Sequence, residues 1–368
     1  MLFVPPIVPA IATLLNGGEY ILFHRHQTLE CWSVRRDKLF WTYDKKEPDF
    51  DVKGFDADVI DGGTSVNIVV CENGRMSNNS RLQILNLDFI TGTSTALFLG
   101  ECPPQSYFLR PKICGEIAFV YIAQDDGAWR GMRPTPRLIN WKTRAHFELA
   151  FNVPPLSQIT VLPIHNHILI LTHTLSDGSG GSEILILDNS AHSSHWCDVD
   201  THPTPNTVHT FKLETIRREE ITFPNLRHLQ DWWIRELCVY ESPLEEGTYR
   251  VWALMTAYNP LSTDDNVVSC SYHLSLPNSG TRITWRQRTA AVSVPDTRHE
   301  LAGISYSGHT VHHFRDDGHC ILGPLGMTEL ILDETDTRTR YLLYTHISTY
   351  GGALTTVNQD RVRISYYT

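Results

Sequence analysis

The chain has 368 residues, of which 41% are hydrophobic and 20% are charged, a composition typical of a folded protein with a sizeable core. Its formal net charge of -10 at pH 7 argues against a general nucleic-acid binder and against docking on anionic membranes, because both need a basic surface. We therefore expect neither a nucleic-acid partner nor a membrane partner.

The beginning of the chain does not predict a secretion signal. Its apolar run, MLFVPPIVPAIATLL, lacks a basic start and is interrupted by three prolines. No segment approaches the roughly 18 apolar residues that a membrane-spanning helix needs. The eight cysteines are scattered without a CxxC pair, which favours reduced, buried thiols. The sequence thus predicts a cytosolic or nuclear protein.

Four short strands are predicted in the first 45 residues. Apolar segments at 10–15, 20–24, 29–34 and 39–43 alternate with turn-forming residues such as Asn16-Gly17-Gly18. Four antiparallel strands at this spacing match one blade of a β-propeller.

Similar strand sets follow along the chain. They are predicted within 55–99, 107–151, 159–187, 237–294 and 308–346. In each repeat the third strand ends in a polar turn, and we anchor the repeats at Trp32, Leu87, Trp141, Leu187 and Leu332. The first three intervals are 55, 54 and 46 residues. Because a four-stranded sheet cannot bury both of its apolar faces alone, this period predicts an all-β fold, a single β-propeller of six four-stranded blades with seven as the alternative.

The sequence predicts a single domain that spans residues 1–368. Two regions of this domain depart from the regular repeat. At about 189–233 the strand rhythm fails, which predicts an irregular insertion that contributes one or two strands or a seventh blade. The tail at 361–367, RVRISYY, alternates as an edge strand would. We expect it to pair with the strand near 10–15, because closing the ring removes exposed edges.

Several segments carry a resemblance to known families. CWSVRRDKLFW, ILNLDFITGTS and INWKTRAHF resemble degenerate WD-type repeats, in which Ser33 and Lys142 stand where Asp is expected after Trp. DVIDGGTSVNIVV, RLQILNLDFITG, SGHTVHHF and ISTYGGALTTVNQDRVRISYY are similar to the propeller-like C-terminal region of F-box proteins of mushroom-forming fungi, from about residue 10 onward. The resemblance implies capture of a substrate for ubiquitination. The helical F-box segment has no counterpart in this sequence, so binding of a ligase adaptor is not expected.

The residues give little support to catalysis. The spacing of His192, His195 and Cys197 would place three ligands around Zn²⁺, but the surrounding Pro- and Ser-rich residues favour a solvated loop. The Gly-rich segment 177–182 precedes a strand, which indicates a hairpin connection because a phosphate loop would need a helix there. The strand starts expected to line the central channel show no repeated Asp, Glu or His. We therefore predict no catalytic residue, no cofactor and no metal.

The predicted function is a non-catalytic protein-interaction module that binds through loops. The loops we favour are 72–80, 125–135, 189–206 and 259–266. Trp and Arg are enriched at binding hot spots, so the candidate partner-binding residues are Trp129, Arg130, Arg133 and Trp196. Local packing is the alternative role for these residues. The alternative function is a propeller-fold hydrolase or lactonase, whose ligands would converge on the channel from several blades.

Overall fold

The structure is a computed structural model of the chain. It describes residues 2–3, 11–25, 28–45, 49–74, 79–124, 135–149, 158–174, 181–188, 196–198, 217–220, 232–257, 267–276, 284–287, 292–294, 299–314, 318–322, 342–350, 352–358 and 362–366. Within these ranges the chain forms 29 strands and one 3₁₀ turn, Asp61–Gly63, so the predicted all-β class is confirmed. Over the same ranges, no helix is long and apolar enough to cross a membrane.

The strands assemble into antiparallel sheets, which we number in chain order. The first strand, β1 (Leu2–Phe3), joins the last sheet. Sheet 1 contains β2 (Ile11–Leu14), β3 (Tyr20–Arg25), β4 (Thr28–Ser33) and β5 (Lys38–Thr42). Sheet 2 contains β6 (Phe50–Ile60), β7 (Ser65–Gly74), β8 (Ser80–Asp88) and β9 (Ser94–Glu101).

Sheets 3 and 4 follow, and each gains a strand from further along the chain. Sheet 3 contains β10 (Ser106–Cys114), β11 (Ile117–Gln124), β12 (Thr135–Asn140), β13 (Ala145–Glu148) and β17 (Cys197–Asp198). Sheet 4 contains β14 (Gln158–Ile164), β15 (His167–Thr174), β16 (Gly181–Asp188) and β18 (Arg217–Glu220).

The remaining strands form three more sheets. Sheet 5 contains β19 (Trp232–Glu241), β20 (Thr248–Ala257), β21 (Val267–Ser275), β22 (Thr284–Gln287) and β23 (Val292–Val294). Sheet 6 contains β24 (His299–Ile304), β25 (Thr310–Phe314) and β26 (Gly318–Leu322). Sheet 7 contains β27 (Leu342–Ile347), β28 (Ala353–Asn358), β29 (Val362–Tyr366) and β1.

Both faces of sheet 2 are apolar, as the runs of the sequence predict. Successive side chains of a strand point to opposite faces. In β7, Ile68 and Val70 therefore pack with sheet 1, while Val69 and Cys71 pack with sheet 3. All four side chains are at most 1% exposed. Sheet 2 is thus held between two neighbours.

The sheets follow one another in a cyclic series of contacts. Apolar clusters join sheets 1 and 2, sheets 2 and 3, and sheets 3 and 4. The strands β14 and β19 join sheets 4 and 5, Trp252 packs on Ile304 between sheets 5 and 6, and β24 contacts β27 between sheets 6 and 7. Finally, Phe23 of sheet 1 packs with Val357 of sheet 7. Over the described residues, this succession of contacts is propeller-like.

The last sheet combines segments from distant parts of the chain. Leu2 lies opposite Arg363 and Phe3 lies opposite Val362 in the antiparallel pair of β1 and β29. The tail therefore pairs as predicted with an N-terminal strand, but the predicted location near 10–15 is wrong. That segment is β2, which pairs with β3 through the short turn at Asn16-Gly17-Gly18 and opens sheet 1.

The described residues form seven sheets, where the sequence predicted six units with seven as the alternative. The predicted last set, 308–346, mixed two sheets, because its final segment is β27, the first strand of sheet 7. The irregular region at 189–233 contributes β17 and β18 as outer strands of sheets 3 and 4, and Cys197 is exposed there, unlike the buried Cys31 and Cys71. The predicted segment 329–332, with the anchor Leu332, lies outside the described residues, and the single-domain assignment stays a prediction.

Polar side chains shape the turns after the third strands. Asp88 Oδ1 accepts hydrogen bonds from the backbone N–H groups of residues 90 and 91, and Asn140 Oδ1 does the same for residues 142 and 143. Trp32 lies opposite Leu39 and Leu87 lies opposite Ser94, but the equivalent pair in sheet 3 is Ile139 and His146. The repeat anchor at Trp141 is therefore two residues too late, since Trp141 lies in the turn.

The packing of sheet 2 predicts a contrast between two isoleucines. Ile84 is 0% exposed between sheets 2 and 3, whereas Ile90 is 79% exposed in a turn of the same sheet. Replacing Ile84 with alanine should lower the free energy of unfolding by about 2–5 kcal/mol, because it removes buried methyl groups and leaves a cavity. The matched control Ile90→Ala should change it by less than about 0.5 kcal/mol. Urea unfolding measures both, and equal effects would contradict the burial of Ile84 between two sheets.

Candidate binding site at the cavity mouth

A central cavity of about 520 Å³ is lined by residues of all seven sheets. The lining residues lie mainly where the first strand of each sheet ends and turns into the second. One of them from each sheet, in order, is Leu14, Asp58, Cys114, Ile164, Glu241, Ile304 and His346. We call the part of the cavity formed by Asp58, Lys112, Glu241, His346 and Tyr350 the cavity mouth.

Two carboxylates of β6 bind the neighbouring inner strand. Asp56 and Asp58 are two residues apart and so point to the same side of β6. Asp56 Oδ2 accepts the backbone N–H of Ile113 at 3.0 Å, and Asp58 Oδ2 accepts that of Gly115 at 2.8 Å. These bonds occupy N–H groups at or next to the end of β10 that no strand of sheet 3 uses. Both carboxylates therefore have a structural role in joining sheets 2 and 3.

The surroundings of Asp58 disfavour its charged form. Burial raises the pKa of the Asp58 carboxyl, and the negative charges of Asp56 and Glu241 raise it further. The Gly115 hydrogen bond and His165 act in the opposite direction. Asp56 has a cation of its own, since Lys112 Nζ lies 3.4 Å from its Oδ1.

Glu241 ends β19 and is exposed at the cavity mouth. Its carboxylate makes no hydrogen bond or ion pair with any residue of the described ranges. Its backbone carbonyl accepts a hydrogen bond of 2.6 Å from the Tyr350 hydroxyl. Burial and the Glu241 charge together raise the pKa of Tyr350 to about 12 and also raise that of Tyr249. Both tyrosines therefore stay protonated and neutral at physiological pH.

Three turns around the cavity mouth are bonded to one another. The Tyr306 backbone N–H donates to the Thr349 carbonyl at 2.9 Å, and the Tyr306 hydroxyl donates to Ser242 Oγ at 3.4 Å. Arg250 donates to the Tyr306 carbonyl at 2.8 Å and lies over the Tyr306 ring, 4.3 Å from its centroid. The Tyr306 and Tyr350 ring centroids are 5.5 Å apart. The turns of sheets 5, 6 and 7 therefore form one connected rim.

His346 lies in the cavity wall, and its Nδ1 is buried without a hydrogen-bond partner among the described residues. Burial, together with the positive charge of Lys112, lowers the pKa of His346 to about 4. The ring is therefore neutral at pH 7 and has one nitrogen that can accept a hydrogen bond and one that can donate.

The chemistry of these residues favours binding. Burial raises the pKa of the Cys114 thiol to about 12, so this cysteine is not a thiolate nucleophile at neutral pH. Over the part of the chain that the structure describes, no three His, Cys, Asp or Glu side chains are grouped so as to hold a metal ion. What the mouth offers a ligand is negative charge, tyrosine rings and a neutral imidazole.

The candidate residues from the sequence lie elsewhere. Trp196 is half-buried, and its ring meets that of Phe147 edge-on with 4.7 Å between centroids. It does not line the central cavity. The other candidates, Trp129, Arg130 and Arg133, lie outside the described residues. Their roles in partner binding stay predictions.

The favoured loop 72–80 begins at the end of β7, the second strand of sheet 2, which is opposite to the end where β6 meets the cavity mouth. Most residues of the other favoured loops, 125–135, 189–206 and 259–266, lie outside the described residues. Their roles in binding stay predictions.

The sequence predicts channel-lining residues at strand starts, whereas the residues of the mouth lie at strand ends. Asp58, Glu241 and His346 all lie within three residues of the end of a first strand. A second signal was present in the segments SGHTVHHF and ISTYGGAL, which were quoted for family resemblance alone. They form or adjoin the turns that carry Tyr306 and Tyr350.

Comparisons with known proteins give β-propellers. The chain is similar to the WD40 domain of SCAP from fission yeast (TM-score 0.47, 10% identity, covering 99% of this chain and 82% of that one). It is also similar to the Dos1 propeller (TM-score 0.40, 10% identity, covering 97% of this chain and 78% of that one). A third similar structure is the β-propeller domain of the Trilobed protease from Pyrococcus furiosus (TM-score 0.36, 8% identity, covering 98% of this chain and 94% of that one). No protein-family model and no curated protein sequence matches the chain, so the resemblance to fungal F-box proteins stays a prediction.

The lowered pKa of His346 predicts a pH dependence of stability. In the unfolded chain a histidine has a pKa of about 6.5. The unfolded state therefore binds more protons than the folded state between pH 6.5 and the folded value of about 4. The stabilising effect of a neutral His346 is complete above pH 6.5 and is lost as the pH falls through this window.

Urea unfolding of the wild type and of His346→Gln between pH 4.5 and 7.5 measures this effect. The variant should lose less stability than the wild type as the pH decreases, because glutamine does not titrate. Thr349→Val, a substitution of a neutral lining residue, is the control and should keep the wild-type slope. Identical slopes for the wild type and His346→Gln would show that His346 protonates as easily in the folded protein as in the unfolded one.

Proposed function

We propose that this protein is a non-catalytic β-propeller module that binds a partner protein at the cavity mouth. The observation that carries the proposal is the combination of a cavity bordered by all seven sheets with a rim of exposed apolar and aromatic side chains. Leu244 is 90% exposed and Tyr350 is 42% exposed, in the turns of sheets 5 and 7. Tyrosine is enriched at the hot spots of protein interfaces.

The rim is rigid enough to act as a binding surface. Ser242 Oγ accepts the backbone N–H of Leu244, which fixes the turn that carries this leucine. The bonds from Tyr306 to Thr349 and from Tyr350 to the Glu241 carbonyl join this turn to its neighbours. Side chains that are ordered before binding lose little conformational entropy on binding, so such a surface favours affinity.

A channel hydrolase is the alternative, and it has less support. The Cys114 thiol is protonated, and Asp56 and Asp58 each use an oxygen to hold backbone N–H groups of another sheet. Within the described ranges, no set of metal ligands converges on the cavity.

The resemblance to F-box recognition regions refines the proposal. It adds that the partner is captured in the manner of a ubiquitination substrate, by the propeller alone. Recovery of a ligase adaptor with this chain by itself would contradict that refinement, since adaptor binding is not expected of it.

The rim variant Leu244→Asp should weaken partner capture at least tenfold, because it places a charge in the apolar part of the interface. Proteins retained from a cell extract by the immobilised wild type and by the variant are quantified by mass spectrometry over a dilution series. The matched control is Ile90→Asp, which changes another exposed branched residue to the same charge. If every retained protein binds Leu244→Asp as well as it binds Ile90→Asp, the rim is not the docking surface.

A further inference from the structure

The cavity mouth has more negative charge than its own cations neutralise. Asp56 has Lys112 beside it, but Asp58 has only one oxygen engaged by the described residues, through Gly115. The Glu241 carboxylate has no ion pair or hydrogen bond within the same ranges. Other titratable groups around the mouth are His165, which interacts with Asp58, and the neutral Tyr249 and Cys114. The rim also carries Arg250, whose guanidinium donates to the Tyr306 carbonyl and lies over the Tyr306 ring. Two carboxylates of different sheets thus have capacity for a cation.

The half-buried imidazole of His346 is an independent sign of a ligand, because its Nδ1 is buried without a hydrogen-bond partner among the described residues. A buried polar atom without a partner is uncommon in folded proteins, and a water or ligand usually explains it. His346 lines the same cavity as Asp58 and Glu241, and its neutral ring supplies a hydrogen-bond acceptor without adding positive charge. A ligand that donates several hydrogen bonds would satisfy this ring and the carboxylates together.

The tyrosine rings of the rim favour a planar donor. One arginine of the chain already makes such a contact at the rim, since the Arg250 guanidinium lies 4.3 Å from the centroid of the Tyr306 ring. The neighbouring ring of Tyr350 is 42% exposed and lines the cavity. A planar cation over a tyrosine face is favoured by the negative charge of the ring face, and most strongly where water is excluded.

We propose that the cavity mouth binds the guanidinium of an arginine presented by the partner protein. Asp58 Oδ1 and the Glu241 carboxylate accept its N–H groups, His346 accepts deeper in the cavity, and the Tyr350 ring covers one face. Arginine fits better than lysine, because its five donors lie in a fixed plane and its charge is more weakly hydrated. This inference rests on the proposed function and names the chemistry that the partner brings to it.

The test uses labelled, end-capped heptapeptides, Gly-Ser-Gly-Arg-Gly-Ser-Gly and its counterparts with citrulline, lysine or glutamate at the centre. Fluorescence anisotropy with the full chain gives the affinities. We expect the arginine peptide to bind at least tenfold more tightly than the citrulline peptide, which has the same shape without the charge. The lysine peptide should be intermediate, and added salt should weaken binding of both cationic peptides.

Variants of the carboxylates that line the cavity test whether the arginine peptide binds at the cavity mouth. Asp58→Asn and Glu241→Gln should each weaken the arginine peptide about tenfold. Glu116→Gln, which removes an exposed carboxylate that does not line the cavity, is the control and should leave the affinity unchanged. Because Glu241 makes no side-chain bond in the described ranges, Glu241→Gln decides the matter even if Asp58→Asn disturbs the fold.

Three results would overturn the inference: equal binding of the arginine and citrulline peptides, tighter binding of the lysine peptide, or no binding of any peptide at millimolar concentration. In the last case the cavity holds only water. The proposed function fails separately, through the Leu244→Asp experiment. If a partner depends on Leu244 but the arginine and citrulline peptides bind equally, the binding module is supported and recognition of arginine is contradicted.

Discussion

The structure depends on one constraint, that a sheet with two apolar faces cannot cover either of them with its own strands. Alternation along β7 sends Ile68 and Val70 to one neighbouring sheet and Val69 to the other, and all three are fully buried. A sheet with two such faces needs a partner on each side, and so does each partner. A cyclic series is the arrangement that satisfies all of them, because an open stack would leave two faces exposed.

The cavity mouth is a consequence of this cyclic packing. Stacking covers the faces of the sheets but leaves the edges of the innermost strands without a neighbouring strand. Carboxylates fill part of that role at sheet 3, where Asp56 and Asp58 accept the backbone N–H groups. Negative charge is thereby concentrated where the inner strands end, and Asp58 and Glu241 become available to a ligand for reasons that begin with the architecture.

Strands were predictable because their signal is local, whereas the mouth is made of distant residues. The segments 10–15, 20–24, 29–34 and 39–43 were read from alternating apolar runs, and they correspond to β2–β5. Sheet 7 was not separated from sheet 6 because its β27 continued the rhythm of sheet 6, and one of its three strand pairs joins distant ends of the sequence. Asp58, Glu241 and His346 belong to three sheets, so no spacing in the sequence brings them together. Trp141 displaced the anchor of the third repeat by two residues, because it lies in the turn that Asn140 shapes.

The pairing of β1 with β29 has a consequence for how the protein is made. During synthesis Leu2 and Phe3 leave the ribosome about 360 residues before Val362 and Arg363, their partners. Contacts of such long sequence separation form slowly, since closing so large a loop costs entropy before any contact compensates for it. The nascent chain must therefore keep one sheet edge unsatisfied until residues 362 and 363 have been synthesised. That edge is where a chaperone would be needed most, and where two half-made chains would join by mistake.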